Sequence, residues 1–68
     1  MLREGEVVVF RAILDDEEII EWLAPQTWHH VFSTFKIHCD LGETHGFLYK
    51  CTPHGDVLVR ESGKNGAE

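Results

Sequence analysis

The segment GFLYKCTPHGDVLVRE, residues 46–61, predicts a β-hairpin from which the rest of the fold can be built. Both halves, 46–51 and 56–61, are rich in the β-branched and aromatic residues that favour strands. Between them, Pro53 presets the backbone for a type I turn, and Gly55 supplies the left-handed residue that closes a three-residue loop. This turn sets a register with three facing pairs: Thr52 with Asp56, Cys51 with Val57, and Tyr49 with Val59.

Upstream, the sequence predicts a strand followed by a helix. Residues 6–14 have the composition and length of a strand, with one wholly apolar face made of Val8, Phe10, Ala12 and Leu14. Residues 16–24 are predicted as a helix because Asp15 suits the N-cap position and acidic side chains are favoured in the first helical turn. The apolar stripe of this helix comprises Ile19, Ile20, Leu23 and Ala24.

The middle of the chain admits two interpretations. Residues 25–32, PQTWHHVF, suit a short helix capped by Thr27 and equally suit an early entry into the next strand. From Ser33 to Leu41 the pattern has period two and predicts a strand. Its alternating apolar residues are Phe35, Ile37, Cys39 and Leu41.

These elements predict a small two-layer α+β domain of order β-α-β-β-β, with one helix packed on a mainly antiparallel sheet. We expect a single domain over residues 1–61 and a flexible C-terminal tail over 62–68, where no large apolar residue occurs. No apolar run approaches the 18 or more residues of a membrane helix, and the N-terminus lacks the apolar block of a signal peptide. With only two cysteines, the expected location is the cytoplasm.

Charge and chemistry set the functional expectations. Seven of the twelve acidic residues lie within residues 1–21, and the six Lys and Arg residues form no cluster, which disfavours direct nucleic-acid binding. A metal site using the C-x-x-H spacing of Cys51 and His54 is disfavoured, because His45 and His54 would stand about 25–30 Å apart at opposite ends of one strand. An intrachain Cys39–Cys51 disulfide is disfavoured by distance as well. No cofactor is therefore predicted.

The leading functional hypothesis is a non-enzymatic protein-binding module, such as an inhibitor, adaptor or accessory subunit, and a homodimer. An acidic helix with adjacent aromatic residues would dock on a basic surface of another protein. The alternative is a metal-binding or ligand-sensing module using histidines such as His29, His30 and His38 across a dimer. An enzyme at an oligomer interface is a third hypothesis. The predicted partner-binding residues are Asp15, Asp16, Glu17, Glu18, Glu21, Trp22 and Trp28.

Overall fold

Two β-hairpins and one long helix make up the fold in the computed structural model, which describes residues 7–63. All neighbouring strands are antiparallel, and their order across the sheet is β2-β1-β3-β4. The predicted α+β class, with one helix on an antiparallel sheet, is confirmed. The chain order is β-β-α-β-β, because the helix joins the two hairpins. The elements are β1 (Val8–Leu14), β2 (Ile19–Leu23), α1 (Trp28–Gly42), β3 (Gly46–Thr52) and β4 (Gly55–Ser62).

The predicted helix over residues 16–24 is wrong, because its acidic start forms a turn and its apolar part forms strand β2. Glu17 has the left-handed φ of 74°, which a helix does not allow. The Asp16 side chain accepts a hydrogen bond from the Glu18 backbone N–H at 3.0 Å, the pattern of an Asx turn. The β-branched residues Ile19 and Ile20 then favour an extended backbone that pairs with β1.

The predicted strand over residues 33–41 is also wrong, because this stretch belongs to helix α1. The Thr27 side chain caps the helix, accepting a hydrogen bond from the His30 N–H at 3.2 Å, so the alternative with a Thr27-capped helix is confirmed. The buried stripe has four-residue spacing: Val31, Phe35 and Cys39 are all fully buried. The period-two pattern was misleading because Ile37 and Leu41 are exposed by 55% and 82%.

Helix α1 covers the face of the sheet that carries the apolar residues predicted for β1. Of that face, Phe10, Ala12 and Leu14 are buried and Val8 is half-buried. Leu48 of β3 and Trp22 of β2 complete the sheet side of the core. No helix within residues 7–63 is long and apolar enough to cross a membrane.

The predicted hairpin of residues 46–61 is confirmed, but its register is wrong by one residue. Thr52 faces Gly55, so the loop contains only Pro53 and His54. The Thr52 hydroxyl closes this shorter turn, donating to the Gly55 carbonyl at 2.6 Å and accepting from the His54 N–H at 3.1 Å. A bulge in β4 then skips Val59, because Leu48 faces Arg60 and Tyr49 faces Leu58.

The end of β4 overlaps the predicted C-terminal tail. Ser62 is part of the strand, faces Gly46 and is buried. Gly63 has φ 149° and packs against the backbone of His45. The remainder of that predicted tail, 64–68, lies outside the described residues, as do residues 1–6.

Close approach of α1 to the sheet requires glycine at position 46. A Cβ atom added there would overlap the Leu14 side chain and stand 2.9 Å from the Phe35 ring and 3.1 Å from the Cys39 sulfur. All three neighbours are buried in the core, so they have little room to move.

We therefore expect Gly46→Ala to lower the free energy of unfolding by about 1–3 kcal/mol, the usual cost of overpacking a core. Chemical denaturation would measure it. Gly42→Ala is the matched control, since a Cβ there meets the Thr44 side chain at an ordinary contact distance, 3.4 Å to Cγ2, and alanine favours the helix. Equal stabilities for the two variants would contradict this account of the packing.

Candidate functional site

The sheet face opposite α1 is covered by no element of the described chain, and we call it the open face. Because side chains alternate along each strand, the residues between the buried ones lie here. Three aliphatic side chains remain well exposed: Ile13 by 40%, Ile19 by 58% and Leu58 by 49%. The open face comprises Ile19 and Glu21 of β2, Arg11 and Ile13 of β1, Phe47, Tyr49 and Cys51 of β3, and Asp56, Leu58 and Glu61 of β4.

Arg11 occupies the middle of the open face and joins three strands. Its Nε donates to Glu21 Oε2 at 2.9 Å, and its second guanidinium nitrogen donates to Asp56 Oδ2 at 2.6 Å. The hydrogen bond to Glu21, the largest effect, raises the pKa of Arg11. Two carboxylates thus hold the guanidinium in place, and each retains oxygen lone pairs for a further donor.

Apolar side chains flank this charged centre. Ile13 lies directly opposite Ile19 on one side and Phe47 on the other, forming an apolar row across three strands. Tyr49, half-buried, faces Arg11 on one side and Leu58 on the other. Exposed aliphatic and half-buried aromatic groups around a fixed polar centre are typical of a surface that contacts another molecule.

The seven predicted partner-binding residues lie in four places, and the structure does not bring them together as an acidic helix. Asp15, Asp16, Glu17 and Glu18 form the exposed turn between β1 and β2, which we call the acidic turn. Glu21 lies on the open face. Trp22 is in the core with 7% exposure, which leaves it little surface for a partner, and Trp28 lies on the helix side of the sheet.

Asp15 fixes the acidic turn to the loop after α1. Its carboxylate accepts a hydrogen bond from the buried Thr44 hydroxyl, and its backbone N–H donates to the His45 carbonyl at 2.8 Å. The Thr44 hydrogen bond is the main reason that the pKa of Asp15 is lowered. Asp15 therefore has a structural role, whereas Asp16, Glu17 and Glu18 project from an anchored turn.

A groove on the helix side of the sheet was missed by sequence reasoning. It has a volume of about 390 Å³ and is lined by Phe10, Trp28, Lys50 and Val59. The Trp28 ring lies 5.6 Å from the Phe10 ring and stacks on Phe32, also at 5.6 Å between centroids. The four-residue spacing of Trp28 and Phe32 was the available signal, and it required a helical interpretation of this stretch.

The cysteines and histidines do not form a chemical centre in the described part of the chain. Cys39 is in the core, and Cys51 lies on the open face, where burial is the main cause of its raised thiol pKa. His29, His30 and His38 are exposed on α1, and His45 and His54 lie at opposite ends of β3. No group of three or more potential metal ligands converges within residues 7–63.

Comparison with known proteins does not assign this chain to a family. No family model matches it, and no curated protein or solved structure shows a significant match. Function is therefore inferred from the open face, the acidic turn and the groove.

The hydrogen bond between Thr44 and Asp15 predicts a pH-dependent contribution to stability. Because the folded-state pKa of Asp15 is below its ordinary value of 3.8, the stabilisation is present above that value. It is lost as pH falls through the lowered pKa. We expect Thr44→Val to raise the pKa of Asp15 towards 3.8, and its deficit in Tm relative to wild type to shrink as the solution is acidified below pH 3.8.

Thermal melts between acid and neutral pH test this expectation. Thr34→Val is the control, since its hydroxyl donates at 2.9 Å to a helix carbonyl, that of His30, rather than to a carboxylate. A Thr44→Val deficit that is the same at every pH would refute the proposed coupling.

The surroundings of Cys51 predict that its thiol reacts slowly with alkylating reagents at neutral pH. Burial and the neighbouring Asp56 raise its pKa above 9.0, although Arg11 acts in the opposite direction, so little thiolate forms at neutral pH. We expect iodoacetamide to modify Cys51 slowly at pH 7, and Asp56→Asn to accelerate the reaction. Peptide mapping by mass spectrometry separates Cys51 from Cys39. Rapid, selective alkylation at neutral pH would instead support the enzyme hypothesis.

Proposed function

We propose that this chain is a small non-enzymatic protein-binding module that docks on a partner through the open face and the acidic turn. One observation carries the proposal: a sheet face uncovered by any described element exposes Ile13, Ile19 and Leu58 around the fixed Arg11 centre. Covering these aliphatic groups would stabilise a complex by the hydrophobic effect.

Charge selects the kind of partner. The open face carries three carboxylates, Glu21, Asp56 and Glu61, against the single cation Arg11. The acidic turn continues directly into β2, so its carboxylates extend the same negative surface. A partner with Lys or Arg residues around an apolar patch would complement this surface, and the long-range attraction would speed association at low ionic strength.

The paired Arg11 gives the open face a preorganised centre. Its guanidinium is held by Glu21 and Asp56 and does not have to be reoriented when a partner arrives. The free lone pairs of the two carboxylates can accept hydrogen bonds from a partner's basic side chains. Binding therefore costs little side-chain entropy at the middle of the interface.

The proposal retains two expectations from the sequence, a homodimer and a cytoplasmic location. For self-association, the outer edge of β4 is the better surface, since it has no neighbouring strand among the described residues and exposes Val57, Leu58 and Val59. Two open faces would repel each other through their excess carboxylates. The cytoplasmic expectation rests on the sequence, since two cysteines do not make a disulfide framework.

Substitutions on the open face and the acidic turn test the proposal. We expect Ile19→Asp to weaken partner binding at least about tenfold, because it places an unpaired charge in the apolar part of the interface. Glu17→Lys/Glu18→Lys should weaken binding at low salt and lose its effect as salt is added. Affinity capture with quantitative mass spectrometry identifies proteins lost by both variants, and titration calorimetry then measures each Kd.

Two control variants lie on the exposed surface of α1. Leu41→Asp introduces the same charge at an aliphatic residue that is 82% exposed, and Asp40→Lys reverses an exposed charge. Both should retain the partner. If a captured protein is retained by the open-face and turn variants and lost by the α1 variants, docking occurs elsewhere.

A further inference from the structure

The groove on the helix side carries the opposite charge from the rest of the molecule. Four Lys and Arg residues occur within residues 7–63, and Arg11 is paired with carboxylates on the open face. The other three make no ion pair with a carboxylate in this part of the chain: one lines the groove, and two lie over the Phe32 ring that stacks on Trp28. Lys50 lines the groove, Arg60 lies 4.7 Å from the Phe32 ring centroid, and Lys36 lies 5.7 Å from it.

The aromatic side of the groove is a fixed surface. Trp28 is half-buried between Phe10 and Phe32, with an interplanar angle of only 4° to Phe32. The guanidinium of Arg60 and the ammonium of Lys36 near Phe32 place positive charge beside this stack. A planar ring is the shape that packs best on such a surface.

We propose that the groove binds a small planar aromatic anion, an aromatic carboxylate or a nucleotide-like phosphate. The ring packs against Trp28 and Phe10, and the anionic group contacts Lys50. The volume of about 390 Å³ is in the range of small-molecule sites. Lys50 in the groove, together with Lys36 and Arg60 over the adjoining Phe32 ring, places positive charge beside the aromatic surface, and none of the three pairs with a carboxylate within residues 7–63. This positive charge complements an anion.

The size and charge of the molecule favour a small ligand over a polymer. A polyanion would extend beyond the three cations and meet the field of a chain with twice as many acidic as basic residues. A small anion requires only the charge at the groove. The groove and the open face lie on opposite sides of the sheet, so this site is separate from the proposed docking surface.

Binding can be followed by ¹H–¹⁵N NMR, with the two tryptophans as internal probe and control. The indole N–H resonance of Trp28 should shift on titration, while that of the buried Trp22 should move little. The probes are 2-naphthoate and its neutral analogue 2-naphthalenemethanol, and adenosine monophosphate and its neutral analogue adenosine. For fragments of this size we expect a Kd of about 1 mM for the anions.

Each anion should bind more tightly than its neutral analogue, and the anion with the larger gain in affinity over its own analogue identifies the carboxylate or phosphate chemistry. Lys50→Gln should weaken anion binding about fivefold, as expected for a partly exposed ion pair, and leave the neutral analogues unchanged. Trp28→Leu should weaken all four probes. His38→Gln, at an exposed position on α1, is the control, and circular dichroism checks that each variant is folded.

Three results would overturn the proposal. The first is equal affinity for anions and neutral analogues, and the second is anion binding that is unchanged in Lys50→Gln. The third is a Trp28 shift that depends on protein concentration without ligand and disappears in Lys50→Gln, which would assign the groove to a second copy of the chain.

Discussion

The fold depends on the packing of helix α1 against one face of the sheet. Val31, Phe35 and Cys39 of α1 are fully buried, and Gly46 provides the space beneath them because it has no side chain. Within residues 7–63, eight hydrophobic residues are buried in this core. Among the described residues this helix is the single layer packed on the sheet, so the other face of the sheet is left as the open face.

Helix α1 also leaves part of the sheet face on which it packs uncovered. The sheet is four strands wide, and β4, at its edge, remains exposed from Gly55 to Arg60. The groove lies where Trp28, at the start of α1, meets Lys50 and Val59 of the outer hairpin. Both candidate surfaces thus arise from one limitation: a single helix does not cover a four-stranded sheet. Their charges differ because seven of the nine acidic residues within 7–63 lie on the acidic turn or the open face, whereas Lys36, Lys50 and Arg60 lie at or near the groove.

The sequence was sufficient to locate the hairpin of residues 46–61 and the buried face of β1, because a turn motif or a strict alternation indicated each locally. It did not give the register of the hairpin, which depends on the shorter loop closed by Thr52 and on the bulge at Val59. The sequence was also insufficient where the same apolar residues fitted both the two-residue period of a strand and the four-residue spacing of a helix. Phe35 and Cys39 fit both a strand and a helix, and only the burial of Val31, together with the exposure of Leu41, distinguishes them. The run from Asp15 to Glu18 also suits either a helix start or a turn, and pairing with β1 decides it.

The candidate site was harder to predict because it combines residues from four strands. In the sequence, Arg11 interrupts the apolar residues on one face of β1, but that pattern also suits a strand covered on both faces. Its partners Glu21 and Asp56 are 10 and 45 residues away, and their proximity depends on the order β2-β1-β3-β4. Among the predicted residues, Glu21 belongs to this face, whereas Trp22, its neighbour on β2, points to the core.

The two candidate surfaces are connected through single residues of the sheet. On β1, Phe10 lines the groove and the next residue, Arg11, lies on the open face. On β3, Lys50 lines the groove, and its two sequence neighbours, Tyr49 and Cys51, lie on the open face. A shift of β1 or β3 caused by a ligand in the groove would therefore move the salt-bridged centre on the other side. Occupancy of one surface and affinity at the other would then be reciprocally linked, because any such coupling has to act equally in both directions.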